Sequence, residues 1–286
     1  MSAAADERAR VPAQALGILT ARTLANSHST LLELLEAGMS VLDVGCGPGT
    51  LTAEIARRVH PGRVVGLDLN SEMIRLAEAS SPLDAPNLAF CAADIRQSIW
   101  NSEFDLVNAT RVLQWIPDPA KALAAMARAV VPGGLVVVRD FDHTRARWSS
   151  PRKEWTRFYD AFLRWRQAGG LDNSVARHLP PLFGAAGIVD ITYRDQSGTV
   201  RADDADFFRV AGLWRMVIDS RGRQMVAAGY LTEAERRSAQ DAFTEWMTAP
   251  DASQTLSEGC AVGRRPRRPA VRARRRGPAR PSRRAE

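Results

Sequence analysis

Between Ser40 and Asp142, short runs of β-branched and aliphatic residues alternate with stretches in which apolar side chains recur every three to four positions. Continuous apolar runs suit strands buried on both faces, and the helical period between them supplies covering layers, so the pattern predicts a parallel sheet with crossover helices. The predicted strands are Val41 to Val44, Arg63 to Leu67, Asn87 to Cys91, Phe104 to Asn108 and Leu135 to Asp140. Helices are predicted over Leu51 to Val59, Ser71 to Ser80 and Pro119 to Val131, the last stopped by Pro132-Gly133-Gly134. Leu16 to Ala37 reads as a helical lead-in. Past Asp142 the strand signal thins: helices are expected over Pro151 to Gln167, Val175 to Ala186, Asp203 to Met225 and Thr232 to Met247, with strands near Ile188 to Arg194 and Gly259 to Gly263. Thr232 and Glu235 have the spacing of a capping box.

Composition sharpens this division. Of 19 Phe, Trp and Tyr, only Phe90, Trp100, Phe104 and Trp115 precede residue 141. The second half therefore has the large rigid surfaces that enclose an organic substrate. Trp155, Phe158, Tyr159 and Phe162 fall at i, i+3, i+4 and i+7, which equally describes a stripe packed on a core. The net charge of +7 is also uneven: residues 264–286 hold eleven arginines against Glu286, +10, leaving −3 for residues 1–263. Attraction to nucleic acid would thus act on the tail alone, and a segment so poor in apolar residues is expected to be disordered. Three cysteines without a CxxC pair argue against a disulfide framework or a metal site, so a reducing cytoplasm is the expected location. No apolar run is long enough to span a bilayer, and no membrane role is expected.

The chemistry concentrates in Val41-Leu42-Asp43-Val44-Gly45-Cys46-Gly47-Pro48-Gly49-Thr50. An apolar strand meets an acid, then glycines at alternate positions let the backbone turn tightly beside a ligand before a helix begins. The spacing is not that of the dinucleotide fingerprint, because Thr50 stands where the third glycine of GxGxxG would fall, and there is no phosphate-loop lysine. A nicotinamide-dependent enzyme is disfavoured on that ground. Asp68 ends the second strand, where an ionised carboxylate can accept from two ribose hydroxyls, and Asp94 follows the third, beside Ile95.

Together, LDVGCGPGT at 42–50, GLDLNSEMI at 66–74, AADI at 92–95, FDLV at 104–107, VLQWIPDP at 112–119 and VPGGLVVVRD at 131–140 resemble the S-adenosylmethionine-dependent methyltransferases of the Rossmann-like class, and more narrowly the ubiquinone/menaquinone-biosynthesis-type small-molecule enzymes. The resemblance implies an α/β, doubly wound, mostly parallel seven-stranded sheet with helices on both faces. It implies one domain over 12–263, with helical insertions 144–186 and 201–250 as a substrate lid, followed by the tail 264–286. S-adenosyl-L-methionine is the implied cofactor. Asp43 with Gly45, Cys46 and Gly47 would hold its amino-acid end, Asp68 the ribose, Leu69 and Met73 the adenine faces, and Asp94 with Ile95 the adenine edge, with Thr110 beside the methionine portion. Gln114 would face the substrate. Trp115 stands where many relatives have a histidine, so any role of that histidine lapses here.

Methyl transfer needs a base only when the acceptor atom carries a proton; the candidates are His143, just past the fifth strand and preferred for that position, and His178 in the helical insertion, with Asp140 and Asp142 as alternatives. Trp155 and Tyr159 are candidate substrate contacts. The expected acceptor is a small organic molecule, quinone-like, polyketide-like or another secondary metabolite. The alternative is an RNA or protein acceptor held by the arginine tail. Oligomeric state is left open.

Overall fold

A computed structural model of the protein describes residues 16–20, 22–81 and 85–267. The lead-in is three short helices rather than one: α1 (Leu16–Thr20), α2 (Leu24–Ser27) and α3 (Ser29–Leu34). Thr23 and Asn26 form a reciprocal capping box at α2, and His28 Nδ1 accepts the Leu31 N–H at the start of α3, so two polar residues inside an apolar stretch each begin a new helix.

From there the chain follows the predicted alternation closely, through β1 (Val41–Val44), α4 (Thr50–Val59), β2 (Val64–Asp68), α5 (Ser71–Ser80), β3 (Leu88–Ala92), β4 (Phe104–Thr110) and α6 (Pro119–Ala129). β5 (Val130–Trp148) is far longer than expected. Pro132-Gly133-Gly134 lies inside it: Val130 already pairs with Phe104, the register shifts between Phe104 and Leu106, and Gly133 N–H donates to Arg265 O at 2.8 Å. The remaining elements are α7 (Lys153–Ala168), α8 (Val175–Ala185), β6 (Val189–Asp195), β7 (Gly198–Arg201), α9 (Phe207–Ala211), α10 (Leu213–Ala227), α11 (Glu233–Trp246) and β8 (Ser253–Arg264).

The sheet has eight strands, not seven, in the order β3-β2-β1-β4-β5-β8-β6, with β7 also on β8. β1 to β5 are parallel, and β8 runs antiparallel to β5, β6 and β7. The predicted segment near 188–194 is β6, and the extra strand is β7, just past it, which pairs in succession with β6 along β8. Arg264, grouped with the tail in the sequence reading, ends β8, and Arg265 Nη1 donates to the carbonyls of Arg128 and Val130 at 2.7 and 2.6 Å. The arginines from 268 onward lie outside the described residues.

Both faces of the sheet are covered. Leu123 and Met126 of α6 share a core with Val136 and Val138 of β5 and with Val175, Leu179 and Phe183 of α8. Leu24, Leu31, Ile55 and Val59 close the other face. Hence α8, which the sequence reading assigned to the lid, is a sheet-covering helix, and residues 144–148 belong to β5. The other helices of those insertions, α7, α9, α10 and α11, are built on an aromatic core of their own that includes Trp155, Phe158, Phe162, Trp214 and Phe243. No helix among the described residues is long and apolar enough to cross a membrane.

Candidate functional site

Because β1 lies between β2 and β4, chain connections leave it in opposite directions, and a crevice opens at the carboxyl ends of these strands, the usual ligand position in open α/β sheets. A cavity of about 490 Å³ occupies that crevice, roofed by Leu213, Trp214 and Val217 of α10. Its floor is the glycine turn. Gly45, Gly47 and Gly49 have φ of 69°, 55° and 80°, the left-handed region that glycine enters without penalty. At Gly45 a side chain is excluded twice over, since an added Cβ would also lie 2.9 Å from Val112 Cγ1.

Asp43 lies beneath this turn, buried, accepting from Thr52 Oγ1 and Asn108 Nδ2, both at 2.7 Å. Burial pushes its pKa up to about 6, against the lowering effect of those two donors. Asp68 accepts the N–H groups of Gly47 at 2.9 Å and Asn70 at 2.8 Å, and burial again raises its pKa. Asp94 is also at the cavity, but its carboxylate is engaged by Arg96 Nε and Nη2, which outweigh the effect of burial and hold its pKa below the usual value. Leu69, Ile95, Thr110, Gln114 and Trp115 line the same space. Cys46 does too, and burial, reinforced by Asp43 and Asp68, pushes its thiol up, which removes it as a nucleophile.

Three expected positions are elsewhere. Met73 is buried on the inner side of α5, outside the cavity lining. Trp155 and Tyr159 are likewise outside it, because the stripe they belong to faces α10 and α11. Trp155 packs its ring 4.5 Å from Phe243 and 5.4 Å from Trp214. Tyr159 meets His143 from outside the cavity, its hydroxyl donating to the His143 carbonyl at 2.8 Å and lying 3.5 Å from Nδ1.

His143 does line the cavity. Its Nε2 is 2.7 Å from Gln114 Oε1, and Gln114 Nε2 in turn donates to Arg111 O at 3.2 Å, so the amide offers its oxygen and the imidazole carries its proton on Nε2. Burial, with Arg166 adding to it, holds the ring well below its ordinary pKa and therefore neutral. Asp140 is buried outside the lining, where it accepts the Gln114 N–H at 3.1 Å. Asp142 is held by Thr144 and Arg177. Neither carboxylate lines the cavity.

Several cavity residues carry no sequence signal of their own. Arg22, Arg111 and Arg221 all line it, and Arg221 and Arg166 flank the Trp115 ring at 4.4 and 4.6 Å. Asn108, which lies outside the lining but holds Asp43, could have been anticipated, as a polar residue inside a buried apolar strand.

Residues 35–171 match a family model described as a methyltransferase domain. A trans-aconitate 2-methyltransferase of Methylobacterium radiotolerans is 36% identical over 159 residues, which is 55% of this chain and 57% of that relative. The chain thus spans less than two thirds of that relative's length. Among solved structures, a candidate methyltransferase of Bacillus halodurans superposes with a TM-score of 0.56 at 16% identity, covering 83% of this chain and 98% of that one. A phosphoethanolamine N-methyltransferase 2 of Haemonchus contortus in complex with S-adenosyl-L-methionine gives 0.55 at 17% identity, over 84% of this chain and 52% of that one. Residues 35–171 are thus similar to methyltransferase domains, and the sheet that carries them has the α/β fold of these solved structures.

Proposed function

We propose that the protein transfers a methyl group from S-adenosyl-L-methionine to a small organic acceptor enclosed beneath the lid. The observation that carries this reading is a single cavity bordered by three acids at successive strand edges, Asp43, Asp68 and Asp94, and closed above by apolar lid residues. The residues present fit the cofactor: Asp68 stands where ribose hydroxyls would donate, and Leu69 and Ile95 offer apolar surface to a base. The Met73 position contributes only by packing α5.

When bound, the sulfonium supplies an activated methyl group, which the acceptor takes by in-line displacement while the bonding pair stays on sulfur. The protein's part is alignment and exclusion of water. Leu213, Trp214, Val217 and Phe162 supply the dry wall on the lid side. Arg166, fully buried, donates through Nη2 to Gln114 O at 2.8 Å and thereby fixes the loop that presents Gln114 and Trp115.

His143 is placed to orient the Gln114 side chain. With Nε2 already donating and a low pKa, it is a weak base, which suits an acceptor atom that is already anionic or unprotonated. That relatives are named trans-aconitate methyltransferases supports a small-acid acceptor in the same way. Calorimetric titration with S-adenosylhomocysteine, followed by transfer of labelled methyl to a panel of small carboxylic acids, tests the reading. Saturable binding and labelled product are expected; a folded protein that binds no S-adenosylhomocysteine would overturn it.

A further inference from the structure

One corner of the cavity is electrostatically unbalanced. Arg22, between α1 and α2, and Arg111, directly after β4, both line it, and the Nε of each is buried with no hydrogen-bond partner among the described residues. Arg111 Nη2 and Arg139 Nε share one carboxylate, that of Glu258, at 2.7 and 2.5 Å. Arg22 feels Glu258 and Asp140 only at longer range, while burial and then Arg111 and Arg139 pull its pKa down to about 9. Three guanidinium groups thus crowd around a single fully engaged acid. Arg111 is also held at φ 61°, a region that non-glycine residues rarely occupy, with its N–H donating to Arg139 O at 2.6 Å. Strain of this kind persists where the surrounding structure imposes it, and it tends to gather at ligand clamps.

We propose that Arg22 and Arg111 form a subsite for the carboxylate of a ligand bound in the cavity. A planar two-oxygen anion matches two guanidinium donors and would meet both of the buried N–H groups. The corner adjoins the glycine turn, since Val112, next to Arg111, is the residue that Gly45 touches. Two carboxylates meet this description, the one on the methionine portion of the cofactor and one on a small-acid acceptor. The subsite rests on the methyltransferase reading.

Calorimetry on the full chain separates these cases. S-adenosylhomocysteine is compared with 5′-methylthioadenosine, which keeps the nucleoside and the thioether but has no carboxylate, in wild type, Arg22→Gln and the charge-preserving Arg22→Lys. Loss of a charge-assisted hydrogen bond predicts a weakening of about 10- to 100-fold for the carboxylate-bearing ligand. If Arg22→Gln weakens S-adenosylhomocysteine by that factor while 5′-methylthioadenosine stays within about twofold, the carboxylate is the cofactor's. If both nucleoside ligands are unaffected but trans-aconitate binds the S-adenosylhomocysteine-saturated variant at least about tenfold more weakly than wild type, it is the acceptor's. Arg22→Lys, and Arg111→Lys should Arg22→Gln not fold, should fall between. Equal losses for the two nucleoside ligands, or no change for either S-adenosylhomocysteine or trans-aconitate, would overturn the subsite. A wild-type protein that binds neither nucleoside ligand removes the methyltransferase reading itself, and the subsite with it.

Discussion

Asp43 is held between Thr52 and Asn108 with almost no exposure, and its pKa of about 6 records the cost of keeping a carboxylate there. The folded state takes up a proton more readily than the unfolded chain between pH 3.8 and about 6, so the contribution of this group to stability falls as pH rises through that window and is constant above it. The rise corresponds to roughly 3 kcal/mol at 1.36 kcal/mol per tenfold change in proton affinity. Buried neutral His28 and His143 act in the opposite sense, which makes a single melting curve ambiguous. The comparison with Asp43→Asn isolates the effect: the thermal midpoint of wild type minus that of the variant should decline from pH 4 to pH 6.5 and then level off. A difference independent of pH would mean that Asp43 titrates normally. Asp43, Asp68 and Asp94 were legible because each ends or follows an apolar run, where topology alone puts it at the sheet's edge. Arg22 and Arg111 were not, because isolated basic residues have no period, and only the folding of the lead-in over β4 and β5 brings them together.

Among the elements, legibility followed burial. β1, β2 and β4, buried almost throughout, read as continuous apolar runs because both faces are covered, whereas β3, at the sheet's edge, is only partly buried. The outer end of β5 was invisible: Asp142 to Trp148 is largely polar or aromatic, and it is a strand because it pairs with β8 through Arg147 with Thr255 and Trp148 with Gln254. That extension carries α7 outward from the sheet. The aromatic stripe of α7 was recognised, but periodicity could not say whether it faced a ligand or a partner helix, and α10 and α11 decided the matter. The capping box at Thr232 and Glu235 formed as its spacing predicted, since it depends only on neighbours in sequence. Trp155, 1% exposed, is central to the lid. Trp155→Ala should lower unfolding free energy by about 3–5 kcal/mol in denaturant titrations, and Trp155→Phe by clearly less. S-adenosylhomocysteine affinity should change little in Trp155→Phe, because the turn and Asp68 belong to the sheet core. A Trp155→Ala protein as stable as wild type would show that the lid is not held by this cluster.

At the scale of the whole molecule, the charge divides between residues 1–267 and 268–286. Residues 268–286 hold eight arginines and one glutamate, +7, which equals the net charge of the entire chain and leaves residues 1–267 neutral. The cavity and all three acids lie in that neutral part. At the start of the arginine-rich segment, Arg264 pairs with Leu135 and Arg265 binds the carbonyls that close α6 onto β5. Truncation therefore has two distinct outcomes. Removal of 268–286 should leave S-adenosylhomocysteine affinity and methyl transfer to a small acceptor within about twofold of the full chain at both low and high salt. Removal of 264–286 should lower the thermal midpoint, because it takes away backbone and side-chain bonds that hold β5 against β8. A polyanionic acceptor held by the arginines would behave differently: counterion release makes such binding steeply salt-dependent in the full chain, and the shorter truncation would abolish both the binding and the slope. Turnover of the two forms on the same small acid at two salt concentrations thus decides whether the positive charge takes part in the reaction or only accompanies it.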